Sequence, residues 1–316
     1  MIMGEDQEGP TAPDNSVCAV IVTYQPDPQI TRRLDSLTNQ VAHVIVVDNA
    51  SESAIVDRLG LWAESHDADI LLNRQNLGIA AALNQGFELS LAKGYEYVLA
   101  LDQDSQALPD MVHTQLGVYR SHSRKDQIAI VAPQVEDPEV GMRNKYLRPK
   151  GRLLLERVRC NGEIIDRVSI VISSGGLFSL GAFRAIGPFR DDYFIDYVDT
   201  EYCLRARRKG YEIVVACSAH LAHKWGGIQR VRLGQVDLLP TFHPPDRWYY
   251  ISRNRVPTIR TYGLQFPNWL LFDLMLAVWW VIRMLLFEDR RLAKLAAILR
   301  GTVDGLRGKM GPLPLE

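Results

Sequence analysis

Neither sign of charge dominates this chain. Its 36 Lys and Arg meet 37 Asp and Glu, a formal net charge of −1, so no global field gathers nucleic acid and none is expected as a partner. Cysteine is scarce: Cys18, Cys160, Cys203 and Cys217 are widely spaced and form no metal-type or redox-type pair. They are expected to be reduced thiols of a cytoplasmic protein. No repeat and no low-complexity tract occurs, and a hydrophobic share of 47% excludes a disordered chain. Met1 to Ser16, polar and carrying Pro10 and Pro13, has neither the basic start nor the apolar stretch of a secretory signal. A loose tail is expected there. Nor is there an unbroken membrane span: Asp273 and Arg283 interrupt the apolar stretch Trp269 to Phe287, whereas a spanning helix needs about 20 residues nearly free of charge.

What is present is an alternation of short apolar runs and helical stretches, in a chain long enough for one large domain with an appendage or two modest ones. Val17 to Thr23, Val44 to Val47, Asp69 to Leu72 and Tyr97 to Leu101 read as strands. Helices fall between them, near Gln29 to Leu37, Ala54 to Ser65 and Ile79 to Lys93. A helix over Pro109 to Arg120, strands at Ile128 to Val131 and Val168 to Ile172, a helix over Tyr197 to Lys209 and a strand at Glu212 to Ala216 follow. The pattern predicts an α/β fold with a mostly parallel sheet and helices on both faces. Gly141 to Arg159 stands apart, with seven basic residues against one acid, Glu156. It is either a solvated loop or a rim for pyrophosphate or anionic lipid.

Asp102-Gln103-Asp104-Ser105 follows the fourth strand directly, at the carboxyl edge where open α/β sheets bind ligands. Two carboxylates beside a serine suit a hard divalent cation completed by phosphate oxygens. Asp48 after the second strand and Asn76 with Gly78 after the third end at the same edge. Asp48 can accept from a base N–H, and Gly78 permits close approach of backbone to ligand. Alone, each could be an ordinary turn. The segment Thr23-Tyr24-Gln25-Pro26-Asp27 holds no glycine and no lysine, which argues against the triphosphate cradle of a sugar nucleotidyltransferase.

Val20 to Tyr24, Val47-Asp48-Asn49-Ala50-Ser51, Asn76-Leu77-Gly78 with Ala81 to Asn84 and Gly86, and Asp102-Gln103-Asp104 together resemble the family 2 glycosyltransferases of the GT-A fold. Tyr193 to Glu201 with Leu204, Arg205 and Gly210-Tyr211 resembles that family's acceptor-side signature. His223-Lys224-Trp225-Gly226 and Tyr249 to Asn254 resemble a bacterial polysaccharide subgroup containing rhamnosyltransferases and galactofuranosyltransferases. The resemblance covers roughly residues 17 to 256.

It implies an inverting sugar transfer in which a carboxylate takes the acceptor proton and positive charge meets the leaving diphosphate. Asp199 is the implied base, at the start of a helix whose dipole favours its ionised form. Thr23, Tyr24, Asp48, Asn76, Gly78, Asp102, Gln103 and Asp104 are the implied nucleotide-sugar contacts. Asp104, assisted by Asp102 and joined by His223, would hold Mg²⁺ or Mn²⁺, with His220 the competing histidine. Gly175, Gly176, Asp196, Glu201 and Trp225 are implied on the acceptor or sugar side, although one of the acids could simply cap the helix. Arg253 and Asn254 either contact the diphosphate or order the site. The implied donor is dTDP-L-rhamnose and the acceptor a glycan or lipid-linked glycan in cell-surface polysaccharide synthesis, such as O-antigen. The alternatives are a UDP-galactofuranose or UDP-hexose donor, a nucleotidyltransferase, or a non-catalytic glycan-binding member. The expected organisation is a tail (1–16), a GT-A domain (17–256, with a nucleotide half 17–135 and an acceptor half 136–256) and C-terminal amphipathic helices (257–316). Those helices either lie peripherally on the inner face of the membrane or join subunits into a homo-oligomer.

Overall fold

Valine and isoleucine dominate the first strand, and both of its faces are buried, as a central strand of an α/β sheet requires. The computed structural model describes residues 14–139, 141–224, 231–233, 236–238 and 242–313, with backbone only for 231–233 and 236–238. In its first half β1 (Asp14–Thr23), α1 (Ile30–Thr38), β2 (Val41–Asp48), α2 (Ser53–Ser65), β3 (Asp69–Leu72), α3 (Ile79–Ala92) and β4 (Tyr97–Asp102) alternate. Next come β5 (Ser105–Ala107), α4 (Met111–Ser121), β6 (Ile128–Asp137), β7 (Met142–Arg143), β8 (Tyr146–Lys150), β9 (Leu154–Val158) and β10 (Ile164–Ile165). The second half continues with β11 (Leu177–Ser179), α5 (Leu180–Ile186), α6 (Val198–Arg208), β12 (Glu212–His223), β13 (Val231–Leu233) and β14 (Val236–Leu238). Three helices follow: α7 (Pro245–Tyr262), α8 (Pro267–Phe287) and α9 (Arg291–Arg307).

The main sheet runs β10-β12-β6-β11-β4-β1-β2-β3. β4, β1, β2 and β3 are parallel, β12 is parallel to β6, and β11 lies antiparallel between β4 and β6. Side chains alternate along β1, so Val20 and Val22 enter one core with Phe87, Phe178 and Phe189. Ala19 and Ile21 enter the other with Ile30, Leu34 and Leu116. The carboxyl ends of β1, β2 and β4 come level, because Thr23 pairs with Asp48 and Val22 with Asp102.

Five details differ from the sequence reading. β1 begins at Asp14, inside the tail expected over residues 1–16. Val168 to Ile172 is not a strand. It is an extended segment whose amides reach Ile213 and Leu147 singly, and it is apolar because Val168 and Val171 are buried beneath the sheet. The basic stretch 141–159 is no loop but β7 and the β8–β9 hairpin. Cys160 and Cys217 are joined in a disulfide, while Cys18 and Cys203 are free and buried. Their separation of 57 residues hid the pairing, since β10 beside β12 is what brings them together. Finally, α7 runs unbroken through the expected boundary at 256, and α9 packs along it. Gly301 and Gly305 allow this, because a Cβ on either would strike the α7 backbone.

Candidate functional site

The carboxyl edge collects the acidic residues. Asp102 ends β4, and its amide donates to Ser174 Oγ at 3.0 Å. Ser174 Oγ is 2.7 Å from Ser105 Oγ, which is 2.7 Å from His223 Nδ1. The register of β5 against β12 causes this, since Ser105 pairs directly with His223. Asp104 Oδ1 lies 3.4 Å from the same imidazole nitrogen. One ligand atom from each of Asp102, Asp104 and His223 falls within 4.8 Å of the others.

The charges in this cluster are strained in the way a cation would relieve. Burial pushes the Asp102 carboxyl up to about 6 and Asp104 adds to the rise, against the pull of His223 and Arg247. Burial opposes charge on His223, but Asp104, Asp102 and Asp137 outweigh it and raise the imidazole. Asp104 Oδ1 is buried and accepts no hydrogen bond. An orphaned carboxylate oxygen beside a second carboxylate and an imidazole is a donor set that fits Mg²⁺ or Mn²⁺. His220 stands outside the cluster, 3.2 Å from Glu136.

The other edge residues are held by hydrogen bonds close to their strand ends. Asp48 is buried and accepts from Thr23 Oγ1 at 2.8 Å, Ser51 Oγ at 2.6 Å and Ser51 N at 2.8 Å. Gln103 accepts from the Tyr24 amide at 2.7 Å and leaves the Tyr24 side chain half exposed. Asn76 Oδ1 accepts from Gly78 N at 2.9 Å. Gly78 has φ +86°, and a Cβ there would collide with the backbone of Phe194. Ile79 N donates to Phe194 O at 2.8 Å, so the third strand's loop and the acceptor-side segment are one unit.

That segment is under backbone strain. Phe194, Asp196 and Tyr197 all have positive φ, 65°, 62° and 62°, a conformation costing roughly 1–3 kcal/mol each that persists only where surroundings impose it. Asn254 imposes it: its amide donates to the carbonyls of Tyr193, Ile195 and Asp196 at 3.0, 2.8 and 2.9 Å. Arg253, fully buried, donates to Tyr193 O at 2.8 Å and to Gly311 O. Of the two roles open in the sequence, ordering is what these contacts describe. Both Arg253 and Asn254 are spent on carbonyls, not aimed at a diphosphate.

Asp199 follows in the first turn of α6. The helix start does not hold it ionised, as the sequence suggested. Burial pushes its carboxyl up to about 7, the charge of Asp102 adds, and two hydrogen bonds from Ser173 oppose. Desolvation outweighs the dipole because the dipole is worth at most about 1–2 kcal/mol. Asp196 is clamped by Arg247 through Nη2 at 2.7 Å and Nε at 3.3 Å. Glu201 is buried, with Arg205 Nη2 at 3.0 Å and the Tyr262 hydroxyl at 2.6 Å, so it braces the core and does not face an acceptor. Gly175 and Gly176 are likewise interior. A Cβ on Gly175 would meet Leu221 at 2.7 Å and Pro133 at 2.8 Å, so tight sheet packing, not closeness to sugar, requires glycine. Trp225 lies outside the described residues. The sequence reading missed Arg247; only the packing of α7 against the acceptor-side segment gives it meaning.

A family model described as glycosyl transferase family 2 matches residues 18–187. The chain belongs to glycosyl transferase family 2. Beyond the family domain, the dTDP-rhamnosyl transferase RfbF of Shigella flexneri is 28% identical over 303 residues, covering 94% of this chain and 98% of that protein. The galactofuranosyltransferase GlfT1 of Mycobacterium tuberculosis is 26% identical over 260 residues, 79% of this chain and 84% of the relative. Among solved structures, Staphylococcus aureus TarS 1-349 in complex with UDP-GlcNAc aligns with TM-score 0.55 and 13% identity, over 92% of this chain and 81% of that one. GalNAc-T7 with UDP, GalNAc and Mn²⁺ aligns with TM-score 0.58 and 14% identity over 80% of this chain, which spans only 50% of it. At such identities the likeness establishes the GT-A fold of this family 2 glycosyltransferase. Membership sets aside the nucleotidyltransferase alternative.

Proposed function

We propose that this glycosyltransferase moves L-rhamnose from dTDP-L-rhamnose, with inversion, onto a glycan or lipid-linked glycan acceptor at the cytoplasmic face of the membrane. The observation that carries the reading is the Asp102–Asp104–His223 cluster at the carboxyl edge of the sheet, with Asp199 of α6 near enough for the Asp102 charge to act on it. Similarity to the Shigella rhamnosyl transferase over nearly the whole length of both chains supports the choice of sugar.

Asp102, Asp104 and His223 would hold Mg²⁺ or Mn²⁺, which when bound neutralises charge on the leaving diphosphate. The protein's own residues do the rest. Asp199, whose affinity for a proton lies near neutrality, takes the acceptor hydroxyl proton as the hydroxyl attacks, an efficient match for a general base. Ser173 orients it. Tyr24 offers an exposed ring to the base, and Asp48, Asn76 and Gly78 shape the wall of the nucleotide pocket. Arg247 and Asn254 fix Asp196 and the segment leading to Asp199.

The galactofuranosyltransferase relative gives the competing donor. Thermal stabilisation and Mn²⁺-dependent hydrolysis across a panel of nucleotide sugars separates them. Greatest stabilisation by dTDP-L-rhamnose is expected; a preference for UDP-galactofuranose would overturn the sugar assignment.

A further inference from the structure

The helix α8 carries an apolar stripe that nothing in the described chain covers. Leu271, Met275, Val278, Trp279, Ile282 and Leu286 recur at helical spacing and are all exposed, Met275 at 62% and Val278 at 61%. The stripe is about 22 Å long at ~1.5 Å per residue. Although α8 is long and apolar enough to cross a bilayer, its opposite face is bound to the domain. Asp273 is buried there, paired with Arg255 at 3.0 Å and accepting from the Tyr197 hydroxyl at 2.5 Å. Insertion across a membrane would strip that buried carboxylate of its partners. The helix can lie on a surface but cannot leave the fold.

A second element extends the stripe. The tip of the β8–β9 hairpin is tied to the first turn of α8 by the Asn268 amide, which donates to Gly151 O at 3.3 Å. Arg157 stacks over the Phe272 ring at 5.9 Å. That tip exposes Leu153 at 55% and Leu154 at 64%, between the exposed cations Lys150, Arg152 and Arg157. At the far end of α8 the exposed Arg290 and Arg291 follow, while Glu288 and Asp289 are committed to Lys294. The surface is therefore apolar along its middle and cationic at both ends.

We infer that this surface seats the protein on an anionic lipid bilayer, with the α8 stripe and the Leu153–Leu154 tip in the headgroup boundary and the flanking cations on lipid phosphates. Charge decides against a second copy of the chain. In a two-fold pairing of stripe on stripe, either orientation sets cationic ends against cationic ends. The docking surface also touches the site: Tyr197, held by Asp273 of α8, stands two residues before Asp199. A lipid-linked acceptor lying in the same bilayer would so be presented beside the base. This last step rests on the sugar-transfer reading; the lipid surface itself does not.

The test is co-sedimentation of the full chain with vesicles of phosphatidylcholine, or of phosphatidylcholine mixed with phosphatidylglycerol, alongside thermal stabilisation by dTDP-L-rhamnose. The native protein should bind the mixed vesicles, and more weakly as salt rises. Lys150→Gln with Arg152→Gln should weaken binding about 30-fold. Met275→Ser, Val278→Ser and Trp279→Ser together should lower it by at least about 10-fold. Stabilisation by donor should be the same in all of them, so failure of the donor assay strikes the sugar assignment and leaves the docking surface standing. Native protein that ignores the mixed vesicles, or a serine variant that binds like native, overturns the proposal. So does a native dimer that the serine substitutions convert to monomer, which assigns the stripe to a second copy.

Discussion

Asp199→Asn should make this protein more stable and inactive, and the stability gain should depend on pH. The native carboxyl is raised from 3.8 to about 7, first by burial and then by Asp102. Between those values the folded state binds a proton that the unfolded chain does not, so stability falls as pH rises from about 4 to 7. Below about pH 4 both states are protonated and the penalty vanishes; above about pH 7 it is complete. At about 1.4 kcal/mol per pH unit the full penalty approaches ~4 kcal/mol, and partial exposure of the side chain to the site reduces it toward about 2 kcal/mol. Asparagine removes the charge and keeps an acceptor oxygen, so where the native carboxyl is also neutral the two proteins should differ little. The variant should therefore be about as stable as native at pH 4 and more stable at pH 8, the difference between the two moving by about 2–4 kcal/mol. Urea unfolding of both proteins in chelator-containing buffer measures this. A stability difference that does not change with pH would falsify the burial argument, and near-normal turnover by the variant would remove Asp199 from the base role.

Other perturbations follow from the same contacts. The pH profile of native kcat/KM in the presence of Mn²⁺ should rise with a midpoint near or below 7, because a cation at Asp102 and Asp104 weakens the push on Asp199; a midpoint above 7 in the metal-loaded enzyme contradicts the coupling. Exhaustive chelation should abolish transfer, and Asp104→Asn should raise the Mn²⁺ concentration needed for half-maximal rate at least about 10-fold; activity that survives chelation refutes the cluster. Asn254→Ala leaves three carbonyls of a strained segment without their donor and should cost about 3 kcal/mol in denaturant titrations. Gly78→Ala should lower donor affinity and stability together, since a Cβ meets the Phe194 backbone; unchanged behaviour in isothermal titration with donor would show that the wall is not rigid.

How much of this was legible in the sequence varies with range. β1 to β4 and α1 to α3 lie within a few residues of the sequence reading, because each is a self-contained apolar pattern with its own breakers. Asp48, Asp102 and Asp104 could be placed on one edge, since parallel strands joined by helices must end together. Val168 to Ile172 misled because burial produces the same apolar run whether or not a strand ladder forms. The Cys160–Cys217 bond was invisible for want of any local sign.

By itself the sequence determined the α/β class, the acidic sheet edge and the segment carrying Asp199, all consequences of local periodicity and of which residue types end strands. The tertiary structure decided which groups have free valences. It tied Glu201, Arg253 and Asn254 into the frame and left Asp104 Oδ1 without a hydrogen-bond donor. It also raised Asp199 toward neutrality against its own helix. Many of the deciding partners are far apart in the chain, such as Ser105 and His223, 118 apart, or Asn254 and Tyr193, 61 apart, and no local pattern encodes them.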